Sequence, residues 1–152
     1  MIAVISIGFF SFIKLNPPLV SGTIGSSGDK QFVVISIGNK GLSNIKINGV
    51  LINNNEVPFD IKIQLSNPLK GFIISDDFVG EAREYGISDI KDVTIEPNTA
   101  PSTQLEKVNN GTATEDDKIY GLSIINTKEI NEVIINYSYL GISFEKYVSI
   151  QH

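Results

Sequence analysis

The sequence predicts an all-β fold, an antiparallel β-sandwich of seven or eight short strands, and three observations carry that prediction. Residues 31–52, QFVVISIGNKGLSNIKINGVLI, hold two apolar runs separated by Asn39-Lys40-Gly41. In residues 57–65, Val57, Phe59, Ile61, Ile63 and Leu65 share one face while Pro58, Asp60, Lys62 and Gln64 share the other. That is the two-residue period of a half-buried strand. Residues 132–140 and 142–151 are two more alternating runs joined at Leu140-Gly141, the layout of a tight hairpin. Val133, Ile135, Tyr137 and Tyr139 share one face of it, as do Ile142, Phe144, Val148 and Ile150, with Lys146 the one charged residue on that side.

A chain of 152 residues rich in aliphatic side chains is long enough for one domain with a core of its own. The absence of cysteine excludes disulfides, thiol nucleophiles and thiolate metal sites, and leaves the compartment open. A net charge of -5 with a single arginine, Arg83, offers no basic stripe to neutralise phosphates. Nucleic acid is therefore not an expected partner.

Three segments follow in order. Residues 1–15 are assigned as an apolar signal or membrane-anchor segment: no charge precedes Lys14, and Asn16-Pro17-Pro18 ends any helix. The run is short against the roughly 20 residues of a bilayer span and fits the about 7–15 residues of an export signal's apolar region. No basic residue precedes it, however, and Val20-Ser21-Gly22 departs from the usual cleavage pattern. An anchor would place Lys14 to snorkel at the surface. A first β-strand or a buried arm is the structural alternative, because Ile, Val and Phe also favour strands. Residues 16–30, dense in Pro, Gly and Ser, form a linker with room for one short strand at 19–24. Residues 31–152 form the sandwich.

Within the sandwich, residues 32–37 are a core strand, and Asn39-Lys40-Gly41 reverses the chain into a pairing strand with Ile45 and Ile47 inward. Gly49 marks a bulge, and Asn53-Asn54-Asn55 a turn. Asn67-Pro68 ends the 57–65 strand, residues 71–75 offer a short strand, and one short helix is expected near 77–85, closed by Gly86. Residues 92–96 are a short strand, 97–101 a loop or edge, 104–118 an exposed polar loop, and 119–125 a further strand.

The apolar strand, Asn39-x-Gly41 and Asn44-Ile45-Lys46-Ile47-Asn48-Gly49 together resemble the early strands of bacterial immunoglobulin-like modules, including the cell-adhesion-related domain type of exported proteins. The resemblance covers residues 31–52 and lacks the Cys and Trp core signature of antibody-type domains. It implies an immunoglobulin-like sandwich of the cell envelope, non-catalytic and suited to adhesion or assembly.

No catalytic, cofactor-binding or metal-ligating residue is assigned from the sequence. His152, the lone histidine, is the final residue and has no second histidine for a zinc site or setting for a triad. Asp76, Asp77, Glu81, Glu84, Asp89 and Asp92 could supply a glycosidase carboxylate pair, but around a short helix such acids more commonly solvate or cap. Glu115-Asp116-Asp117 offers hard oxygens to calcium without an EF-hand spacing. Tyr147 is the best exposed aromatic for a glycan or protein partner, against its ordinary use as a cross-strand contact. Asn110-Gly111-Thr112 matches a glycosylation triplet that is common by chance, and Gly22, Gly25 and Gly28 precede a strand instead of opening a helix, so no phosphate loop is present.

The expected function is an exported or membrane-tethered, non-catalytic binding or assembly module of the bacterial cell envelope, touching the membrane through residues 1–15 and a protein or cell-surface glycan through the sandwich. The first alternative is a soluble structural subunit that donates its apolar N-terminal arm to a neighbour. The second is a carboxylate-dependent enzyme acting on glycans.

Overall fold

The computed structural model describes residues 2–151. Helix α1 (Ile2–Leu15) leads into nine strands: β1 (Leu19–Ser26), β2 (Phe32–Asn39), β3 (Ile45–Ile52), β4 (Asp60–Ser66), β5 (Ile87–Ser88), β6 (Thr94–Ile95), β7 (Ile119–Ile125), β8 (Glu132–Tyr139) and β9 (Ile142–Ser149). A 3₁₀ helix (Gly80–Tyr85) precedes β5, and helix α2 (Pro101–Asn109) precedes β7. The strands form two antiparallel sheets, β1-β2-β7-β4-β5 and β6-β3-β8-β9. Alternate residues from the two sheets meet in one apolar core, to which β2 and β7 contribute Ile35, Ile37 and Leu122, and β3 and β8 contribute Ile47, Val133 and Ile135. The architecture is all-β and sandwich-like.

Several expectations meet their elements. Leu140 and Gly141 both take positive φ, as the two-residue turn between β8 and β9 requires. The register shift between Ile47 and Gly49 is the bulge in β3, and the helix near 77–85 is the 3₁₀ turn that stops at Gly86, φ 66°. Gly86 also admits the Leu65 carbonyl so closely that a Cβ would lie 2.2 Å from it.

Other expectations are corrected. β2 and β3 do not pair: β2 lies between β1 and β7, and β3 between β6 and β8. Residues 40–44 therefore arch from one sheet to the other, because each strand carries a buried inward row that needs the opposite sheet as its cover. The short strand expected at 19–24 is present and longer, as β1 over 19–26, and its pairing with β2 around a shift between Ser21 and Ile24 makes that part of residues 16–30 a strand of the sandwich. Residues 2–15 are helical and not a first strand. The 57–65 strand starts only at Asp60, leaving Val57 and Phe59 77% and 75% exposed. Residues 71–75 are irregular chain, and 101–109 are helical: Pro101 opens α2 at a position where its missing N–H costs nothing. The strand expected at 92–96 is present as the two residues of β6, and the two-residue β5 is the strand that was not expected.

One buried polar side chain ties these parts together. Asn39, at the end of β2, is 0% exposed. Its Nδ2 donates to the Ser43 carbonyl (2.8 Å) and the Ile95 carbonyl of β6 (2.9 Å), and its Oδ1 accepts from the Gly41 N–H (2.8 Å). Its backbone N–H donates to Thr99 Oγ1, and its carbonyl accepts from the Thr99 N–H. The neighbouring Gly38 lets the Thr99 carbonyl come within 2.0 Å of where a Cβ would stand, so no larger residue fits there. Replacing Asn39 with Ala orphans the buried Ile95 carbonyl and, at the half-buried Ser43 and Gly41, a second carbonyl and an N–H, at up to about 1–3 kcal/mol each. Asn39→Ala is therefore expected to lower unfolding stability by about 3 kcal/mol or more in urea titration, with an unchanged slope. A loss below about 1 kcal/mol would mean that the arch holds without this side chain.

Candidate functional site

The largest concavity is on the outer face of the five-stranded sheet, and strand alternation builds its floor. Val33, Ile35 and Ile37 of β2 turn inward to the core, so Val34 and Ser36 turn outward. Ser36 pairs with Gly121 and Val34 with Ser123 of β7. Two pieces of chain lie over this face. Residues 67–79 are held by Gln64 of β4, which is 1% exposed. Gln64 Nε2 donates to the Ile73 carbonyl (2.7 Å) and Ser123 Oγ (2.8 Å), and its Oε1 accepts from the Ile73 N–H (3.0 Å). Phe72 rests on Gly121, where a Cβ would meet the ring at 2.7 Å, and Ile74 rests on Gly25. The other piece is α2, whose Pro101 rests on Gly22. Gln104 Nε2 donates back to the Asn98 carbonyl (3.2 Å). At the far end of α2, Lys107 is ion-paired with Asp117. The Lys107 ammonium and then the Thr114 N–H hold the Asp117 carboxyl below its ordinary range.

Between these two covers runs an open cleft of about 920 Å³, within the size range of small-ligand sites. Ser21, Thr23, Val34 and Ser36 form its floor, Leu105 and Val108 stand on the α2 side, and Phe72 and Ile74 on the other. Lys40 is the single charged residue among those lining it. The arrangement offers apolar walls, a few hydroxyls and one ammonium, which suits reversible binding.

The residues singled out in the sequence lie elsewhere. His152 is outside the described residues. Tyr147 is exposed on the outer face of the four-stranded sheet, where its hydroxyl donates to Glu145 Oε2 (3.0 Å), and that carboxylate pushes the hydroxyl's pKa up. Asp89 is ion-paired with Lys62, and no acid of the 76–92 group lines the cleft. Glu84, Glu115, Asp116 and Asp117 do come together around a hollow of about 410 Å³, interleaved with Lys70 and Lys118. Among the described residues, no group of three or more His, Asp or Glu side chains is placed to hold a metal ion.

Sequence reasoning missed the cleft because its parts sit in segments taken for linker (Ser21, Thr23), strand (Phe72, Ile74) and exposed loop (Leu105, Val108). The available signal was Gly22, Gly25 and Gly121 at strand positions, since glycine in a strand can mark close approach by another chain segment. The chain matches no protein-family profile, no curated protein and no solved structure.

Gln64→Ala removes all three bonds to residue 73 and Ser123 and orphans buried groups. A loss of roughly 2–3 kcal/mol is expected, together with faster amide hydrogen exchange confined to residues 67–79. Unchanged exchange in that segment would show that Phe72 and Ile74 suffice to hold it.

Proposed function

We propose that this chain is a membrane-tethered, non-catalytic binding module of the cell envelope, with α1 as its tether and the cleft as its binding surface. The carrying observation is the surface of α1. Val4, Ile5, Ile7, Phe9, Phe10, Phe12 and Leu15 are all exposed, and among the described side chains of the helix only Ile13 is buried against the core. A helix apolar on every side belongs in an apolar medium. Burying a large apolar side chain is worth roughly 1.5–3 kcal/mol, so these seven together favour transfer to an acyl layer by on the order of 10 kcal/mol. No helix among the described residues is long and apolar enough to cross a membrane. The 14 residues of α1 reach about 21 Å at 1.5 Å per residue, which is compatible with insertion into one side of a hydrocarbon core roughly 30 Å thick.

The strand order supports an immunoglobulin-like reading of the sandwich. β1-β2-β7-β4 facing β3-β8-β9 corresponds to the A-B-E-D and C-F-G sheets of a constant-type domain, with β5 and β6 added at the margins. A second reading has an observation of its own. The chain bears both an uncovered apolar helix and an uncovered apolar cleft, and complementary surfaces on one molecule make head-to-tail assemblies. Here α1 would lie in a neighbour's cleft, as the arm-donating subunit requires.

Flotation separates the two. The full chain is expected to rise with uncharged phosphatidylcholine vesicles, independently of salt, because α1 has no charge before Lys14. The triple variant Ile5→Asp, Phe9→Asp, Phe12→Asp is expected to stay at the bottom with an unchanged melting temperature. Recovery of the full chain as an extended oligomer that ignores vesicles would replace the tether by the second reading.

A further inference from the structure

We propose that the cleft binds a small apolar carboxylate, a molecule with a medium-length hydrocarbon body and one anionic end. The inference rests on reading the cleft as the module's binding surface and is independent of the tether. Charge points to the sign of the ligand. In a chain of net charge -5, the cleft is lined by no Asp or Glu and by one cation, Lys40. The ammoniums of Lys30, Lys62, Lys107 and Lys118 are taken by Glu129, Asp89, Asp117 and Glu96, and of the lysines that take part in no ion pair among the described residues Lys40 is the one that lines the cleft. An unpaired ammonium beside apolar walls favours a carboxylate whose remainder is hydrocarbon, since a charge-assisted hydrogen bond and apolar burial can then form together.

The floor points away from a peptide. The backbone groups of β2 are committed to ladders with β1 and β7 on either side. An extended peptide lying across the face would find, apart from the outer edge of β1, only side-chain partners, the hydroxyls of Ser21, Thr23, Ser36, Ser102 and Thr103 and the amide of Gln104, and would leave backbone groups unpaired against Phe72, Ile74, Leu105 and Val108. A hydrocarbon chain carries no such groups.

The test uses the full chain with decanoate bearing a mid-chain diazirine, kept below its micellar concentration, photolysed and mapped by peptide mass spectrometry. Because α1 is itself apolar, the position of the label decides the result. Saturable labelling within residues 71–75 and 101–108 is expected. Lys40→Glu should reduce it about tenfold, the scale of a lost charged hydrogen bond, and leave any label on residues 2–15 unchanged. The decylamine analogue should label the cleft about tenfold less than decanoate. Lys40→Gln, which removes the charge without reversing it, should give an intermediate loss and keeps the test open if the Glu variant does not fold. Label confined to residues 2–15, equal cleft labelling by the amine and the carboxylate, or a cleft occupied by α1 of a second copy would each overturn the proposal. Cleft labelling that survives when vesicle flotation fails would overturn the tether alone, and flotation without cleft labelling would overturn the ligand alone.

Discussion

The hydrogen bonds of Asn39 are the constraint on which the other parts depend. Two sheets with apolar inner faces attract each other in many relative placements, because burial is proportional to area and carries little direction. A buried amide is directional. With its two donors and its acceptor engaged by Ser43, Ile95 and Gly41, and its backbone engaged by Thr99, Asn39 admits one placement of the arch, of β6 and of the chain that enters α2. The position of the cleft's α2 wall is thus inherited from a residue of the core. Gln64 plays the corresponding part on the other side, fixing residues 67–79 to β4 and β7 through one amide. Each wall of the site is therefore held by a buried side chain amide that apolar packing could not have replaced.

Three of the sandwich's four edge strands are short or interrupted. β5 and β6 are two residues long, and β1 is interrupted by its register shift. β9 is a full-length edge, but Lys146 sits opposite Ile135 on the inward face, a charge that a partner strand would have to bury. Lys146 thus departs from the apolar pattern of its strand where departure protects the edge. Exposed apolar side chains are scattered at Leu42, Val57, Phe59 and Leu69, but among the described residues the one contiguous run of them is α1.

What was legible in the sequence is what depends on local period. The β8-β9 hairpin could be read because Val133, Ile135, Tyr137 and Tyr139 recur at every second position, with Asn136 and Ser138 between the later ones, and Leu140-Gly141 supplies two residues of positive φ. The sheet assignment of β2 and β3 could not, because both a hairpin and an inter-sheet arch place Asn and Gly between two apolar strands, and only the buried partners of Asn39 distinguish them. α2 was hidden because only Gln104 of its nine residues is buried, which leaves no apolar stripe of helical period to find. The site failed to appear for a related reason. Its walls come from segments distant in sequence, and glycine, the one residue that marks their contact with the sheet, has no side chain to declare a partner.

The junction between α1 and the sandwich determines how the exposed helix is presented. Only Asn16, Pro17 and Pro18 separate the helix from β1, and consecutive prolines stiffen a connection. Ile13 enters the core, and the Lys14 ammonium donates to the Ser143 carbonyl of β9 (2.8 Å) while standing 4.5 Å from the centre of the Phe144 ring. Phe144 in turn stacks on Tyr137 at 5.2 Å, and burial of that tyrosine pushes its pKa up to about 12, keeping it neutral. The one charge on α1 is therefore satisfied by a carbonyl and an aromatic face, with no acid involved. A cation held in that way can sit where water gives way to an apolar phase, since it brings no second charge to desolvate. Contacts at Ile13 and Lys14 therefore hold the last turn of α1 against the core and β9, while the rest of the helix extends from the sandwich.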